Sequence, residues 1–219
     1  HFHPSGLIYV ITTGVLVLPQ RQTALVAKQA AQLDFMSGGR LRLGVGIGWN
    51  TVEYDALDKD FKTRGRRSDE QVRLLRQLWT QDLVQFQGDY ERVDDAGLRP
   101  LPIQRPIPVW FGGHADAVLE RAARLGDGWI PNPLPMEDLR PQFDKLHGYL
   151  RTAGREPSAF GIDARLNASK TPRAAWQDYA AEYRALGATH LGLNTMGMGF
   201  TTVGEHLRVI EDFLAALRE

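Results

Sequence analysis

Cysteine is absent from the 219-residue chain, and there is no excess of charge, because 26 Lys and Arg balance 26 Asp and Glu. Without cysteine there is no disulfide framework, no thiolate nucleophile and no cysteine-ligated metal. A neutral chain does not favour nucleic acid as a partner, since phosphate-backbone binding requires a basic surface. No apolar run approaches the ~20 residues of a membrane span, and the first residues lack a secretion-signal pattern. We therefore expect a soluble cytoplasmic protein with neither a nucleic-acid nor a membrane partner.

Six short apolar segments alternate with amphipathic stretches. Their nearly continuous apolar character is typical of parallel strands that are covered on both faces. The predicted strands are Leu7–Leu18, Leu41–Val45, Ile107–Phe111, Gly128–Ile130, Phe160–Leu166 and His190–Leu193.

Apolar residues at spacings of three and four follow each predicted strand, which places them on one face of a helix. The six predicted faces are Val26, Ala30 and Leu33; Val72, Leu75 and Trp79; Val118, Ala122 and Leu125; Leu139, Phe143, Leu146 and Leu150; Trp176, Tyr179, Tyr183 and Leu186; and Leu207, Ile210, Leu214 and Leu217.

This alternation predicts a parallel sheet with right-handed crossovers in a single domain. It leaves two architectures open, an open doubly wound sheet and a closed eight-stranded barrel. Residues 83–106 interrupt the rhythm. Within them, Gln85–Val93 alternates around Gly88 and Asp89 and predicts a small hairpin, followed by a proline-rich return.

Two glycine-rich strand ends are candidate binding sites. Gly46 and Gly48 end one strand, where glycine allows a ligand or another backbone to approach closely. Composition alone favours packing over ligand binding there. Gly112 and Gly113 follow a buried strand just before a predicted helix, where free backbone N–H groups form an anion site. A simple turn explains this pair equally well.

Histidine provides the remaining candidates for chemistry. His1 and His3 lie within four residues of each other, but no histidine pair has zinc-motif spacing, so we expect no metal. The chain also lacks a phosphate-binding loop and a nucleophile elbow.

Several of these segments together resemble the luciferase-like monooxygenase superfamily. The resemblance rests on Val15–Pro19, Leu33–Trp49, Arg64–Trp79, Pro102–Arg105, Pro108–Gly113 and Ala122–Trp129. It is greatest to members that use the deazaflavin coenzyme F420, although FMN enzymes share much of the framework. It implies a (β/α)8 TIM barrel over residues 1–219, with the first one to two βα units missing. Ser5-Gly6 stand where the family has a long loop and a helix, so we expect separate pieces to meet there.

The resemblance also implies a site. A bulge or cis peptide at Thr13–Val15 would back the coenzyme ring, the glycine pair would hold the phosphate-bearing tail, and His1 would face the reactive carbon. Trp49 and Phe111 would form apolar walls. The candidate cofactor-binding residues are Thr13, Gly14, Val15, Gly46, Gly48, Asn50, Gly112, Gly113 and His114. A β-branched residue at 113 is expected to weaken cofactor binding without affecting folding.

The function implied is an F420-dependent oxidoreductase that transfers a hydride between the coenzyme and a small organic substrate. The alternatives are an FMN-dependent monooxygenase served by a partner reductase, and a non-catalytic barrel that binds flavin or deazaflavin. The family resemblance also implies a homodimer. Trp49 stands where the sugar-phosphate dehydrogenase branch has an acidic residue, which argues against glucose 6-phosphate as substrate.

Overall fold

A computed structural model describes residues 10–132 and 134–218 of the chain. The predictions for His1, His3 and the junction at Ser5-Gly6 lie outside these residues. The described chain alternates strands and helices and forms two compact units, one of residues 10–112 with Leu125–Asp127 and the other of Gly113–Arg124 with 128–218. The expectation of one closed barrel domain is not tested by this division and stays a prediction.

The first unit is built on parallel strands, as the apolar segments predicted. β1 and β2 both pair with β3, and β3 pairs with β6, with Leu16 opposite Val45 and Leu43 opposite Val109. The elements are β1 Ile11–Thr12, β2 Leu16–Val17, α1 Thr23–Ser37, β3 Leu41–Gly46, α2 Thr51–Ala56, α3 Arg64–Thr80, β4 Val84–Gln87, β5 Arg92–Ala96 and β6 Val109–Gly112.

Helix α1 packs on α3 through small residues. The Nε1 of Trp79 donates to the backbone carbonyl of Ala27 at 3.0 Å. Ala27 and Ala31 are fully buried, whereas Leu33 is 46% exposed. The prediction that Leu33 belongs to the buried face was therefore wrong, because close approach of the two helices selects alanine over a larger side chain.

The predicted hairpin within residues 83–106 is confirmed as β4 and β5, which pair antiparallel with Phe86 opposite Val93. The carboxylate of Glu70 on α3 anchors its turn. It accepts hydrogen bonds from the backbone N–H groups of Asp89, Tyr90 and Glu91 at 2.9, 2.8 and 2.6 Å. Three N–H donors satisfy a carboxylate that is otherwise almost fully buried.

The second unit repeats the same pattern. Its strands β7, β8 and β9 are parallel, with Trp129 opposite Ile162 and Leu166 opposite Leu193. The elements are α4 Asp116–Leu125, whose last residue belongs to the first unit, β7 Gly128–Ile130, α5 Met136–Thr152, β8 Gly161–Asn167, α6 Trp176–Ala185, β9 His190–Asn194 and α7 Val203–Ala216.

The predicted buried face of α7 was wrong. Leu207, Ile210 and Leu214 are exposed, and the helix instead buries Phe213 against Trp176 with the two rings edge to face at 5.4 Å. Among the residues that the structure describes, no helix is both long and apolar enough to cross a membrane.

Candidate functional site

Val15 covers the ends of two neighbouring strands in the first unit. A Cβ on Gly46 would lie 2.7 Å from Cγ2 of Val15, and a Cβ on Gly112 would lie 2.7 Å from Cγ1 of the same side chain. Any side chain at 46 or 112 would therefore displace Val15. Val15 itself is 37% exposed and presents an apolar surface at the carboxyl ends of β3 and β6. We call this group of Val15, Gly46 and Gly112 the Val15 platform.

The segment that carries Val15 is tied to its neighbouring strand. The Gly14–Val15 peptide bond is cis, the geometry that the family resemblance implied as one of two possibilities. The hydroxyl of Thr13 donates to the carbonyl of Gly44 at 2.7 Å. This bond holds the link between β1 and β2 against β3 and so fixes the position of the platform.

Gly48 permits a tight turn after β3. Its φ is +69°, a left-handed conformation, and a Cβ there would lie 2.9 Å from Cγ1 of Val17. Beneath the turn, the buried Tyr54 donates its hydroxyl to the carbonyl of Ile47. Burial raises the pKa of Tyr54 to about 12, so the phenol stays protonated and keeps this bond at neutral pH.

Asn50 and Glu53 form a polar cluster beside this turn. The side-chain oxygen of Asn50 accepts from the N–H of Val52 at 3.1 Å and caps α2. Its Nδ2 donates to Glu53 at 3.2 Å, and Gln20 donates to the other carboxylate oxygen at 3.2 Å. The oxygen of Asn50 thus already accepts one hydrogen bond, and its second amide hydrogen remains available to donate to a ligand carbonyl.

The two predicted apolar walls lie in different environments. Trp49 is 86% exposed next to the polar cluster, where its indole can contact a ligand. Phe111 is only 1% exposed and lies on β6 opposite Val45. The structure places Phe111 in the core rather than at an open surface.

Gly113 begins the second unit, and both of its backbone groups are engaged. Its N–H donates to the carbonyl of Ile130 at 3.3 Å, and its carbonyl accepts from Nε1 of Trp129 at 2.7 Å. The amide at 113 is therefore not the bare anion donor that the sequence suggested. The φ of Gly113 is +128°, and a Cβ would lie 3.3 Å from Val118, so a β-branched residue there would disturb the fold as well.

Open backbone donors lie a few residues further along. The carbonyl of Ala115, just before α4, accepts from the N–H groups of Val118 and Leu119. Asp116 and Ala117 therefore lie in the first turn, where an N–H has no acceptor within the helix. Lys145 donates to the Asp116 carboxylate at 2.8 Å, and this contact raises the pKa of Lys145. The entry to α4 thus combines first-turn amides with a neutralised acidic side chain, which removes the main repulsion toward an anion.

His114 lies at the same entry and is held by a residue that sequence analysis missed. Its Nδ1 lies 2.9 Å from Nδ2 of Asn132, two residues after β7. The other two strands of this unit also end in asparagine, at Asn167 and Asn194, which are opposite each other in the sheet register. An asparagine one or two residues after the end of a predicted strand was thus a signal in the sequence that could have identified Asn132.

A second imidazole of this unit lies beyond β9. Nδ1 of His206 is 2.7 Å from the hydroxyl of Thr195, and its ring packs edge to face on Phe200 at 5.1 Å. Thr195 and Phe200 lie in the segment that connects β9 to α7, and His206 lies in the first turn of α7. The carboxyl ends of the strands in this unit therefore carry amide, hydroxyl and imidazole groups, which orient ligands and move protons.

Glycines and polar side chains at the carboxyl ends of parallel strands define an α/β protein of the ligand-binding type. The sequence profile of the luciferase-like monooxygenase family matches residues 10–217, so this chain belongs to that family, as the resemblance predicted.

The chain is similar both to FMNH2-dependent and to F420-dependent proteins. An FMNH2-dependent dimethylsulfone monooxygenase of Pseudomonas putida is 36% identical over 152 residues, which are 68% of this chain and 42% of that protein. An F420-dependent glucose-6-phosphate dehydrogenase of Amycolatopsis mediterranei is 37% identical over 110 residues, which are 49% of this chain and 33% of that protein. The chain thus spans less than half the length of these relatives.

A solved structure supports the fold assignment. An F420-dependent secondary alcohol dehydrogenase in complex with an F420-acetone adduct matches with a TM-score of 0.65 at 21% identity, over 94% of this chain and 71% of that one. At this identity the likeness shows the fold alone. The named relatives are thus a monooxygenase that depends on FMNH2 and a dehydrogenase that depends on F420.

Proposed function

We propose that the chain is the coenzyme-binding part of an F420-dependent oxidoreductase with a closed (β/α)8 barrel, acting on a small organic substrate. The observation that carries this proposal is the Val15 platform. It presents an apolar surface where the parallel strands β3 and β6 end, and such ends are where active sites lie in parallel α/β folds. When bound, the deazaflavin supplies or accepts the hydride, and the protein orients it and excludes water.

The residues of the first unit fit a flat, partly polar ring. Val15 offers an apolar contact, and Gly46 and Gly112 serve this contact indirectly because they leave room for its side chain. The exposed indole of Trp49 provides a second apolar surface. The remaining amide hydrogen of Asn50, held in place by Glu53, would donate to a ring carbonyl.

The residues of the second unit fit the anionic tail. The N–H groups of Asp116 and Ala117 lie in the first turn of α4, and the helix dipole favours negative charge there. Lys145 neutralises the Asp116 carboxylate at this entry, and His114 adds a side-chain donor beside Gly113. This assignment moves the tail contact a few residues beyond the glycine pair that the sequence pointed to.

One observation favours FMN as a second candidate cofactor. The FMNH2-dependent relative matches 68% of this chain, against 49% for the F420-dependent relative. FMN also combines a tricyclic ring with a phosphate, so the same platform and helix entry would serve it. The partner reductase and the homodimer belong to these proposals and stay predictions.

Titration of the purified protein with each cofactor tests the proposal. We expect F420 to bind in the low-micromolar range, seen as a change in deazaflavin fluorescence, and a Val15→Asp variant to lose that binding. Val52→Asp provides a control because Val52 is an exposed valine on α2 outside the platform. Absence of F420 binding below the high-micromolar range contradicts the proposal, and tight FMN binding in the same experiment would replace it with the second candidate.

A further inference from the structure

His114 and Asn132 form a side-chain pair whose geometry fixes the position of a proton. Nδ2 of Asn132 lies 2.9 Å from Nδ1 of His114, well within hydrogen-bond distance. Both side chains are exposed, so the other face of the imidazole remains accessible to a ligand. Asn132 follows β7, and His114 lies between Gly113 and α4, so two separate segments of the unit converge on this contact.

The chemistry of the two atoms determines the tautomer. An amide nitrogen only donates, so with Nδ2 of Asn132 turned toward the ring, Nδ1 of His114 accepts and carries no proton. A neutral imidazole with a bare Nδ1 has its hydrogen on Nε2. The pair therefore presents Nε2–H outward as a donor of fixed identity, whereas a free histidine exchanges between both tautomers.

The Nε2–H of His114 lies beside the glycine pair that the sequence predicted as the phosphate site. His114 follows Gly113, whose own N–H and carbonyl are both engaged by Ile130 and Trp129. The glycine therefore cannot donate to an anion, and the nearest side-chain donor along the chain is the imidazole. An outward Nε2–H suits a phosphate oxygen, which only accepts.

We propose that Asn132 is a positioning residue, which holds His114 as the neutral Nε2–H tautomer so that it donates to a phosphate oxygen of the bound coenzyme. This inference rests on the proposed function for its ligand. The tautomer itself is a property of the free protein and is tested without any ligand. The ligand contact is tested by comparing F420 with its deazaflavin core that lacks the phosphate-bearing tail.

Long-range 15N NMR of ring-labelled histidine tests the tautomer. The His114 signals, assigned by their loss in a His114→Gln variant, should show Nδ1 unprotonated and Nε2 protonated in the free protein. Asn132→Asp replaces the donor by an acceptor of the same shape and should move the proton to Nδ1. A wild-type signal with the proton on Nδ1, or one unchanged by Asn132→Asp, overturns the proposal.

Binding measurements test the ligand contact. Asn132→Asp should weaken F420 roughly tenfold, the loss of one charge-assisted hydrogen bond, and should leave the tail-less core unaffected. Asn132→Asp could also weaken binding because the new carboxylate repels the phosphate directly. The same substitution in a His114→Gln protein measures this repulsion alone, because glutamine still donates but has no tautomer. In the His114→Gln protein, Asn132→Asp should therefore cause a much smaller loss of F420 affinity. A loss as large as in the wild-type protein overturns the positioning role of Asn132.

The two proposals fail in distinguishable ways. If neither F420 nor the core binds the wild-type protein, the proposed function falls and the phosphate contact falls with it, whatever the tautomer spectrum shows. If both bind but Asn132→Asp changes neither, the proposed function stands and the role of Asn132 is refuted.

Discussion

The side chain of Val15 occupies the space that a Cβ on Gly46 would need, with only 2.7 Å between Cγ2 and the ideal Cβ position. Gly46 thus serves packing, which composition alone favoured, and also supports the proposed ring surface, because the absence of its side chain lets Val15 lie across the strand ends. The two interpretations of this glycine describe one arrangement.

This contact predicts the effect of a methyl group at position 46. Gly46→Ala should lower the free energy of unfolding by about 2 kcal/mol through overpacking against Val15, measured by urea denaturation. It should also weaken F420 binding, because Val15 must move. Gly148→Ala is the matched control: nothing lies within 4 Å of its Cβ position on α5, so it should be neutral or slightly stabilising. The overpacking explanation requires Val15→Ala to restore most of the stability lost in Gly46→Ala.

A substitution at Gly113 should lower the stability of the fold, whereas the sequence alone suggested that it would weaken only cofactor binding. Gly113→Ala should cost about 2–3 kcal/mol of unfolding free energy, because φ is +128° and the new Cβ lies 3.3 Å from Val118. Gly154→Ala, at φ +70° with nothing within 4 Å, should cost about 1 kcal/mol. Equal losses at the two positions would show that the contact with Val118 adds nothing.

The anchoring of the hairpin by Glu70 predicts a local loss of order. Glu70→Gln keeps the shape but turns an amide group toward backbone donors, and should cost about 2 kcal/mol of unfolding free energy. Hydrogen exchange should accelerate in residues 84–96 more than in β3. Glu120→Gln, at an exposed position on α4, serves as the control and should change neither measurement.

His147 predicts a pH dependence of stability. Burial lowers the pKa of this imidazole below its ordinary 6.5, with Arg151 acting in the same direction and Asp144 against it. Protonation then favours the unfolded chain, so the stability contribution is present above pH 6.5 and is lost as the pH falls through the lowered folded-state pKa. His147→Gln should reduce the loss of stability between pH 7 and pH 5. An unchanged pH slope in urea denaturation would contradict this.

The sequence predicted most strands because each is short, apolar and bounded by glycine or proline. β7 matches its predicted bounds, and the hairpin at Gly88 is confirmed. The segment Leu7–Leu18 was predicted as one strand, but its described part is two short strands around the cis Gly14–Val15 bond. Periodicity carries no information about a cis peptide, and only the family resemblance suggested one.

Helix faces were harder to predict where a helix has two apolar sides. In α7, Leu207 and Leu214 form one stripe and Phe213 belongs to another, and spacing cannot tell which stripe meets a neighbouring element. Trp176 on α6 decides in favour of Phe213.

The sequence predicts a location for the candidate site, which stays a prediction, but it gives no contacts between particular atoms. Sequence placed it at the glycine-rich strand ends, yet it could not show that Ile130 engages the N–H of Gly113 or that Asn132 reaches His114. These two contacts join residues that are 17 and 18 positions apart in the chain. They depend on where the end of β7 lies relative to the segment before α4.

A crystal structure of the protein with F420 tests the central claim most directly. The account predicts the deazaflavin ring in van der Waals contact with the side chain of Val15. A ring bound away from Val15, with the platform left facing solvent, would contradict it.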